Sequence, residues 1–426
     1  MMLALLAALH LVAADSMPTV TLAEALARGV RLDPGYVRAL GQQNDAEWGR
    51  RAALAALVLP SINLSTDYQF YSREIFNIGT GQRTQSLTTA RADARMELFS
   101  GGRRLAELSR ARAELEGSQA NEVQTRFAGA LLIESNFYDV LSTRELLDVA
   151  RGQLQRSEEG LTVARARVVS GAAVQSDSLQ LILERNQARV NVLRAEATLR
   201  VNQLELGRRI GLSGPADAAP LDSLPAGDLP VTIEQAVQLA LSQGPAWRVA
   251  RANEQQADAV LRSRRSAYLP TLSVAAATSW YGGTWPPADL TRSQAVFTLS
   301  FPLWDNFQRE LSVSRARTQR EASRAIRLDL ERGAQADVVA AYDTYTTARA
   351  VLDLDRDAVL VAQENYRVQD TRYRAGASTI LDLLEAQNRL TQAEADVVRA
   401  QYAARLAVAG LEAILGQRLL TDKAQP

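Results

Sequence analysis

The chain contains no cysteine and a single histidine, His10, among its 426 residues. Without cysteine it can form no disulfide bond, no thiol nucleophile and no lipid anchor on an N-terminal cysteine. Histidine and cysteine supply the commonest general acids, general bases and nucleophiles of enzymes. The sequence therefore argues against an enzyme, and we expect no catalytic, cofactor-binding or metal-binding residues.

Long apolar runs are also scarce, and the segment from Leu3 to Ala14 is the main exception. It ends in small residues before Asp15, as at a signal-peptide cleavage site, so we expect residues 1–14 to be a signal peptide. No other stretch reaches the roughly 18 apolar residues that a transmembrane helix requires. The 48 basic and 48 acidic side chains balance, which provides no bulk attraction to nucleic acids.

The same landmarks occur twice along the chain, at a separation far beyond the ~20–50 residues of a solenoid repeat. The matched segments are Thr21-Leu22 with Thr232-Ile233, Leu59-Pro60-Ser61 with Leu269-Pro270-Thr271, Ser170-Gly171-Ala172 with Ala375-Gly376-Ala377, and Ile210-Gly211 with Leu415-Gly416. We therefore expect two structural repeats, at residues 15–211 and 232–416. A proline-rich linker at 212–231 would join them, and 417–426 would form a disordered tail.

Each repeat contains two unusually long helical segments, one on either side of a glycine at which the chain would turn. Neither 103–169 nor 307–374 contains a proline, and apolar residues recur there at helical spacing. Gly171 and Gly376 interrupt the pattern, and a second helix then runs to a glycine that would end it. Helices of about 65 residues would be about 100 Å long. We expect antiparallel helix pairs at 102–211 and 306–416.

A segment with a period of two precedes each helix pair and predicts β-hairpins at 61–99 and 271–303, each after an initial helix. Each strand would have one apolar and one polar face, and the first hairpin carries a row of charges from Arg91 to Glu97. Such a row requires water, while the apolar face requires lipid or a core. Strands of about 10 residues are long enough to cross a bilayer when they are tilted, so we favour membrane strands over a soluble sheet.

Four strands cannot close a barrel, and lipid does not tolerate open sheet edges. Membrane barrels begin at about eight strands, so the chain must oligomerise. Two copies would supply eight strands and three copies would supply twelve. A barrel of twelve strands would leave an aqueous lumen. The expected fold class is mainly α with transmembrane β-strands, four of them from each chain.

Strand pairs between long helices, all duplicated, resemble the TolC-type outer membrane efflux proteins over about Val20 to Gly416. The clearest local similarity is Arg372 to Gln387, which looks like the second periplasmic tip turn of that family and the helix that follows it. Arg167 to Asp177 looks like the first tip turn. The run from Leu98 to Gly102 is similar to the family's junction between strand and helix.

The resemblance implies a homotrimer in the cell outer membrane. Its strands would form a 12-stranded β-barrel, and its long helices would continue that barrel as a helical tunnel through the periplasm. The tip would meet a periplasmic adaptor protein and an inner membrane pump, and the chain would be a passive exit duct for efflux or type I secretion. The alternative is a periplasmic coiled-coil scaffold without membrane insertion, which the aromatic residues near the hairpin loops disfavour.

Four residues near the tip turns are the candidate pore constriction. Asp382 and Glu385 lie on one helical face just beyond Gly376, and Asp177 holds the position of Asp382 in the first repeat. In a trimer these acids would form rings, which favour cations and oppose anions. The resemblance to the family adds Tyr373 to these candidate constriction residues.

Helix capping is the alternative role of these acids, because Thr379 and Asp382 have the spacing of a capping box. Four arginines, Arg165, Arg167, Arg372 and Arg374, flank the turns and either bridge to the acids or form a solvated charged end. The residues expected to contact the adaptor are Ser170, Gly171, Ala172, Ala375, Gly376 and Ala377.

Overall fold

The computed structural model describes residues 17–77, 81–221 and 229–419. The predicted signal peptide at 1–14 lies outside these residues, as do 222–228 of the predicted linker and 420–426 of the predicted tail. The helices are α1 (Leu22–Leu32), α2 (Pro34–Val58), α3 (Arg103–Val169), α4 (Gln175–Arg209), α5 (Ile233–Ser242), α6 (Pro245–Arg265), α7 (Gln308–Arg374) and α8 (Ile380–Leu415). The strands are β1 (Thr19–Val20), β2 (Ser61–Asn77), β3 (Gln82–Phe99), β4 (Asp217–Ala218), β5 (Thr271–Gly282) and β6 (Leu290–Ser300).

Four long helices dominate the chain, as the predicted fold class requires. Helices α3 and α7 each contain 67 residues, while α4 contains 35 and α8 contains 36. At 1.5 Å per residue, α3 and α7 are each about 100 Å long. No helix within the described ranges is both long and apolar enough to pass through a membrane.

Two helices, and not the single one expected, precede each hairpin. Helix α2 begins at Pro34, with one residue between it and α1, and α6 begins at Pro245, with two residues between it and α5. Proline lacks an N–H and its ring collides with the preceding turn, so it begins a helix more easily than it continues one. The Asp33 carboxylate caps α2 by accepting a hydrogen bond from the N–H of Tyr36 at 2.9 Å.

The contacts divide the chain into two compact units, and the first comprises the described parts of Met1–Arg38, Val123–Pro245 and Ala334–Pro426. Its largest core cluster joins apolar residues of three long helices. The buried members from these helices are Ile133, Phe137, Tyr138, Val140 and Leu141 of α3, Leu206 of α4, and Val398 and Tyr402 of α8. Burial of large side chains of this kind stabilises the fold by about 1.5–3 kcal/mol each.

Part of the predicted linker is a strand, which the sequence did not indicate. Strand β4 pairs in parallel with β1, with Thr19 opposite Asp217. The Arg144 guanidinium forms an ion pair with Asp217 and donates to the carbonyl of Ala218 at 2.8 Å. Strands of two residues are too short to show a period of two, so the alternation of side chains could not reveal this pairing.

The second unit comprises the described parts of Ala39–Glu122 and Ala246–Gly333. Its sheet has the order β2-β3-β5-β6, and each neighbouring pair is antiparallel. Strands β2 and β6 are the two edges, and neither pairs with a further strand among the described residues. The sheet is therefore open on both sides within one chain.

The register of this sheet separates an apolar face from a polar face. One row joins Leu64, Ala92, Thr278 and Ser293, and the next joins Ser65, Arg91, Ser279 and Arg292. Large side chains on the apolar face are highly exposed in the single chain: Ile62 at 78%, Leu64 at 74%, Phe297 at 69% and Leu299 at 71%. Contiguous exposure of this kind marks a surface that another apolar phase covers.

Candidate functional site

Two turns of the same geometry end the long helices α3 and α7. In the first, the N–H of Ala172 donates to the carbonyl of Arg167 at 2.8 Å. The N–H of Gly171 donates to Val168 at 3.0 Å. The second repeats both bonds from Ala377 to Arg372 and from Gly376 to Tyr373, at 2.7 and 3.0 Å. This is the Schellman pattern, which requires a left-handed residue, and the two glycines have φ values of 76° and 80°.

A buried cluster within the first unit brings the two turns together. It contains residues from the ends of α3 and α7 and from the starts of α4 and α8: Leu161, Ala164, Leu181, Tyr373, Ile380 and Leu383. The six turn residues expected to contact an adaptor are all exposed: Ser170, Gly171, Ala172, Ala375, Gly376 and Ala377. The structure thus brings the two turns together, and the four candidate constriction residues lie on the helices that enter and leave these turns.

Tyr373 points into this cluster and is only 1% exposed. The guanidinium carbon of Arg167 lies over its ring, 4.6 Å from the ring centre, and Arg167 also donates to the carbonyl of Tyr373. Burial raises the pKa of the Tyr373 hydroxyl, and the nearby Asp177 carboxylate adds to the effect. That hydroxyl has no hydrogen-bond partner among the described residues. A buried hydroxyl without a partner is costly.

Asp382 and Thr379 form the predicted capping box at the start of α8. The backbone N–H and the hydroxyl of Thr379 donate to one carboxylate oxygen of Asp382, at 3.0 and 2.8 Å. The N–H of Asp382 donates back to the Thr379 hydroxyl at 3.2 Å. The side-chain and backbone hydrogen bonds from Thr379 lower the pKa of Asp382, so this exposed carboxyl stays ionised at neutral pH.

The other two acids have different surroundings. Asp177 lies in the first turn of α4, where the N-cap residue Val174 offers no side-chain hydrogen bond. Glu385 is exposed and forms an ion pair with Arg389 one turn further along α8. Asp177 and Asp382 therefore lie in the first turns of α4 and α8, where the helix dipole also favours negative charge, while Glu385 lies beyond the first turn of α8.

The arginines near the turns bind backbone carbonyls more than they bind these acids. Arg167 donates to the carbonyls of Tyr373 and Ala172, and Arg372 donates to Ala377 at 3.3 Å. Arg374 pairs with Asp370 of its own helix at 2.7 Å. Sequence reasoning missed the stacking of Arg167 on Tyr373, because nothing local indicates that residues 206 positions apart meet.

The model of the family described as "Outer membrane efflux protein" matches residues 37–212 and 236–417 of this chain. The chain is 25% identical over 317 residues to the cobalt-zinc-cadmium resistance protein CzcC of Cupriavidus metallidurans, covering 72% of each chain. It is 27% identical over 342 residues to the pyoverdine export outer membrane protein OpmQ of Pseudomonas aeruginosa, covering 76% of this chain and 69% of OpmQ.

Solved outer membrane channels share the fold. The CmeC channel of Campylobacter jejuni superposes with a TM-score of 0.79 at 13% identity, over 93% of this chain and 85% of CmeC. VceC of Vibrio cholerae superposes with a TM-score of 0.78 at 15% identity, over 94% of this chain and 97% of VceC. Both likenesses are of fold, and they extend over nearly the whole length of this chain.

Proposed function

Because this chain belongs to the outer membrane efflux protein family and is an outer membrane exit duct, we propose that it acts as a homotrimer. The observation that carries this proposal is the open sheet with an exposed apolar face. Unpaired edges are not tolerated in lipid, and three four-stranded sheets joined edge to edge leave none. The resulting barrel of twelve strands is wide enough for an aqueous lumen.

The repeats at 15–211 and 232–416 each supply one hairpin and one pair of long helices to this trimer. Three chains thus bring twelve long helices, which continue the barrel as a tunnel through the periplasm. The narrow end of the tunnel is formed by the two Schellman turns. The chain is a passive conduit and not an enzyme.

The exposed turn residues around Gly171 and Gly376 are the proposed contacts of a periplasmic adaptor, and an inner membrane pump supplies the energy. The sequence contains no glycine-rich phosphate loop of its own. Relatives named for metal resistance and for pyoverdine export support a role in moving cargo outward.

The proposed constriction consists of Asp177, Asp382, Glu385 and Tyr373. Rings of carboxylates at the tunnel end favour cations. Tyr373 packs in the cluster that joins the two turns, with the Arg167 guanidinium over its ring, which supports a role for this tyrosine in holding the constriction together.

The native mass of the chain after detergent extraction of the outer membrane tests the trimer. A mass of about three protomers, with single channels in planar bilayers, is the expected result. A water-soluble monomer or dimer would refute the duct and favour the periplasmic scaffold.

A further inference from the structure

The polar face of the sheet contains a trough that runs along strand β5. Over most of its length, β5 contributes only small side chains to this polar face, and they are Ser273, Ala275, Ala277 and Ser279. Ala277 and Ser279 are 8% and 9% exposed, although they lie on an open face. Longer side chains on the neighbouring strands β3 and β6 therefore rise on either side of this floor.

Two arginines face each other across the trough. Arg91 of β3 and Arg292 of β6 are both paired in register with Ser279 of β5, so all three occupy one row. Two strand spacings separate the arginine Cα atoms, which is about 10 Å. Arginine side chains that lean inward from this distance can both reach a small anion held above Ser279.

Neither guanidinium is firmly neutralised. Arg292 is exposed and has no acidic partner among the described residues, and the closest approach of Arg91 to Asp93 is 3.6 Å. That distance is too long for a hydrogen bond. Two other acids lie on these strands. Glu97, further along β3, forms an ion pair with Arg103, and Asp67 of β2 forms no ion pair in the part of the chain that the structure describes.

We propose that Arg91 and Arg292 form a binding site for an oxyanion, a carboxylate or phosphate group of anionic cargo, on the polar face of the sheet. Guanidinium groups bind such anions through paired hydrogen bonds, and the hydroxyl of Ser279 offers a further donor. The placement of this site in the lumen rests on the proposed trimeric duct, but the site itself lies within the sheet of one chain. It would select cargo of the opposite charge to that favoured by the acidic tip.

The test is titration calorimetry of the detergent-purified full chain with inorganic pyrophosphate. We expect the Arg91→Gln/Arg292→Gln double variant to bind at least tenfold more weakly than the unaltered protein. Arg95→Gln is the matched control, because Arg95 lies on the same face of β3 but its row holds only Ser61, Ala275 and Val296. Asp93→Asn should tighten binding about threefold, since it releases Arg91.

Equal affinity in the double variant and the Arg95→Gln control would overturn the site, as would unaltered protein that does not bind. The native mass, measured on the same samples, distinguishes failure of the anion site from failure of the proposed trimeric duct. Trimers without arginine-dependent binding would refute the site alone. Monomers that still bind pyrophosphate through these arginines would refute the trimer alone.

Discussion

At the scale of single residues, helix capping and the proposed constriction are two roles that the positions of the tip acids alone do not separate. Asp382 completes a capping box with Thr379, and its lowered pKa follows from the hydrogen bonds that this threonine donates. Asp177 has no such partner at its N-cap, and Glu385 is held only by an exposed ion pair. A capping box therefore accounts for Asp382, the helix dipole favours Asp177 in the first turn of α4, and a selective ring would account for all three acids.

We predict that Asp177→Asn/Asp382→Asn/Glu385→Gln reduces the cation preference of single channels by at least twofold, because it removes the carboxylates of the proposed ring. The reversal potential across a KCl gradient in planar bilayers measures this. Thr379→Val is the control, since it breaks the capping box and leaves the charge. It should lower the melting temperature and leave the selectivity unchanged.

In the unaltered protein, the part of the cation preference due to Asp382 should disappear only when the pH falls through its lowered pKa.

Two substitutions of Tyr373 distinguish the packing of its ring from the role of its hydroxyl. We predict that Tyr373→Phe leaves thermal stability unchanged or slightly raised, because the buried hydroxyl has no partner among the described residues. Tyr373→Ala should destabilise the protein by about 3–5 kcal/mol through the cavity it leaves. If the hydroxyl holds the constriction closed, Tyr373→Phe should also raise single-channel conductance. Unchanged conductance in Tyr373→Phe would assign this residue to the core only.

At the scale of elements, the tip turns show how far local sequence determines structure. The glycines at 171 and 376 predict the ends of α3 and α7, and both have the left-handed backbone that a Schellman turn requires. The hairpins follow from a period of two, which repeats along each strand. In contrast, the break before Pro34 and the β1–β4 pair were not expected. The pair depends on residues almost two hundred positions apart, and local patterns contain no information on such contacts.

We predict that Gly171→Ala and Gly376→Ala each destabilise the protein by about 1 kcal/mol. A Cβ at Gly171 meets nothing within 4 Å, and one at Gly376 comes only within 3.5 Å of Arg167, so the cost is conformational. Gly410→Ala in α8 provides a control of opposite sign, because its Cβ also enters open space but within a helix. The midpoints of chemical unfolding should fall for the first two variants and rise for the third. Equal shifts in all three would contradict this account.

At the scale of the whole molecule, the two faces of the sheet define which surface meets lipid and which meets water. Leu64 lies on the apolar face and its neighbour Asn63 lies on the polar face, opposite Asp93. An arginine on a lipid-facing strand position costs about 2–4 kcal/mol at the membrane centre. The same change one residue earlier would face water and a carboxylate.

We therefore predict that Leu64→Arg sharply reduces the amount of trimer recovered from the outer membrane, while Asn63→Arg leaves it nearly unchanged. Electrophoresis of unheated outer membrane fractions measures the trimer in both variants. Equal recovery of the two variants would contradict the assignment of faces, and loss of trimer in Asn63→Arg alone would reverse it.

The sequence by itself determined the long helices, the hairpins, the tip glycines and the duplication, because each is encoded by neighbouring residues or by a repeated pattern. Only the tertiary structure showed that Tyr373 is buried beneath Arg167. It also revealed that Arg91 and Arg292 share a row across Ser279. These placements depend on strand register and on packing between distant segments. Local periodicity states which face a residue occupies, and only long-range contacts decide which residues it meets there.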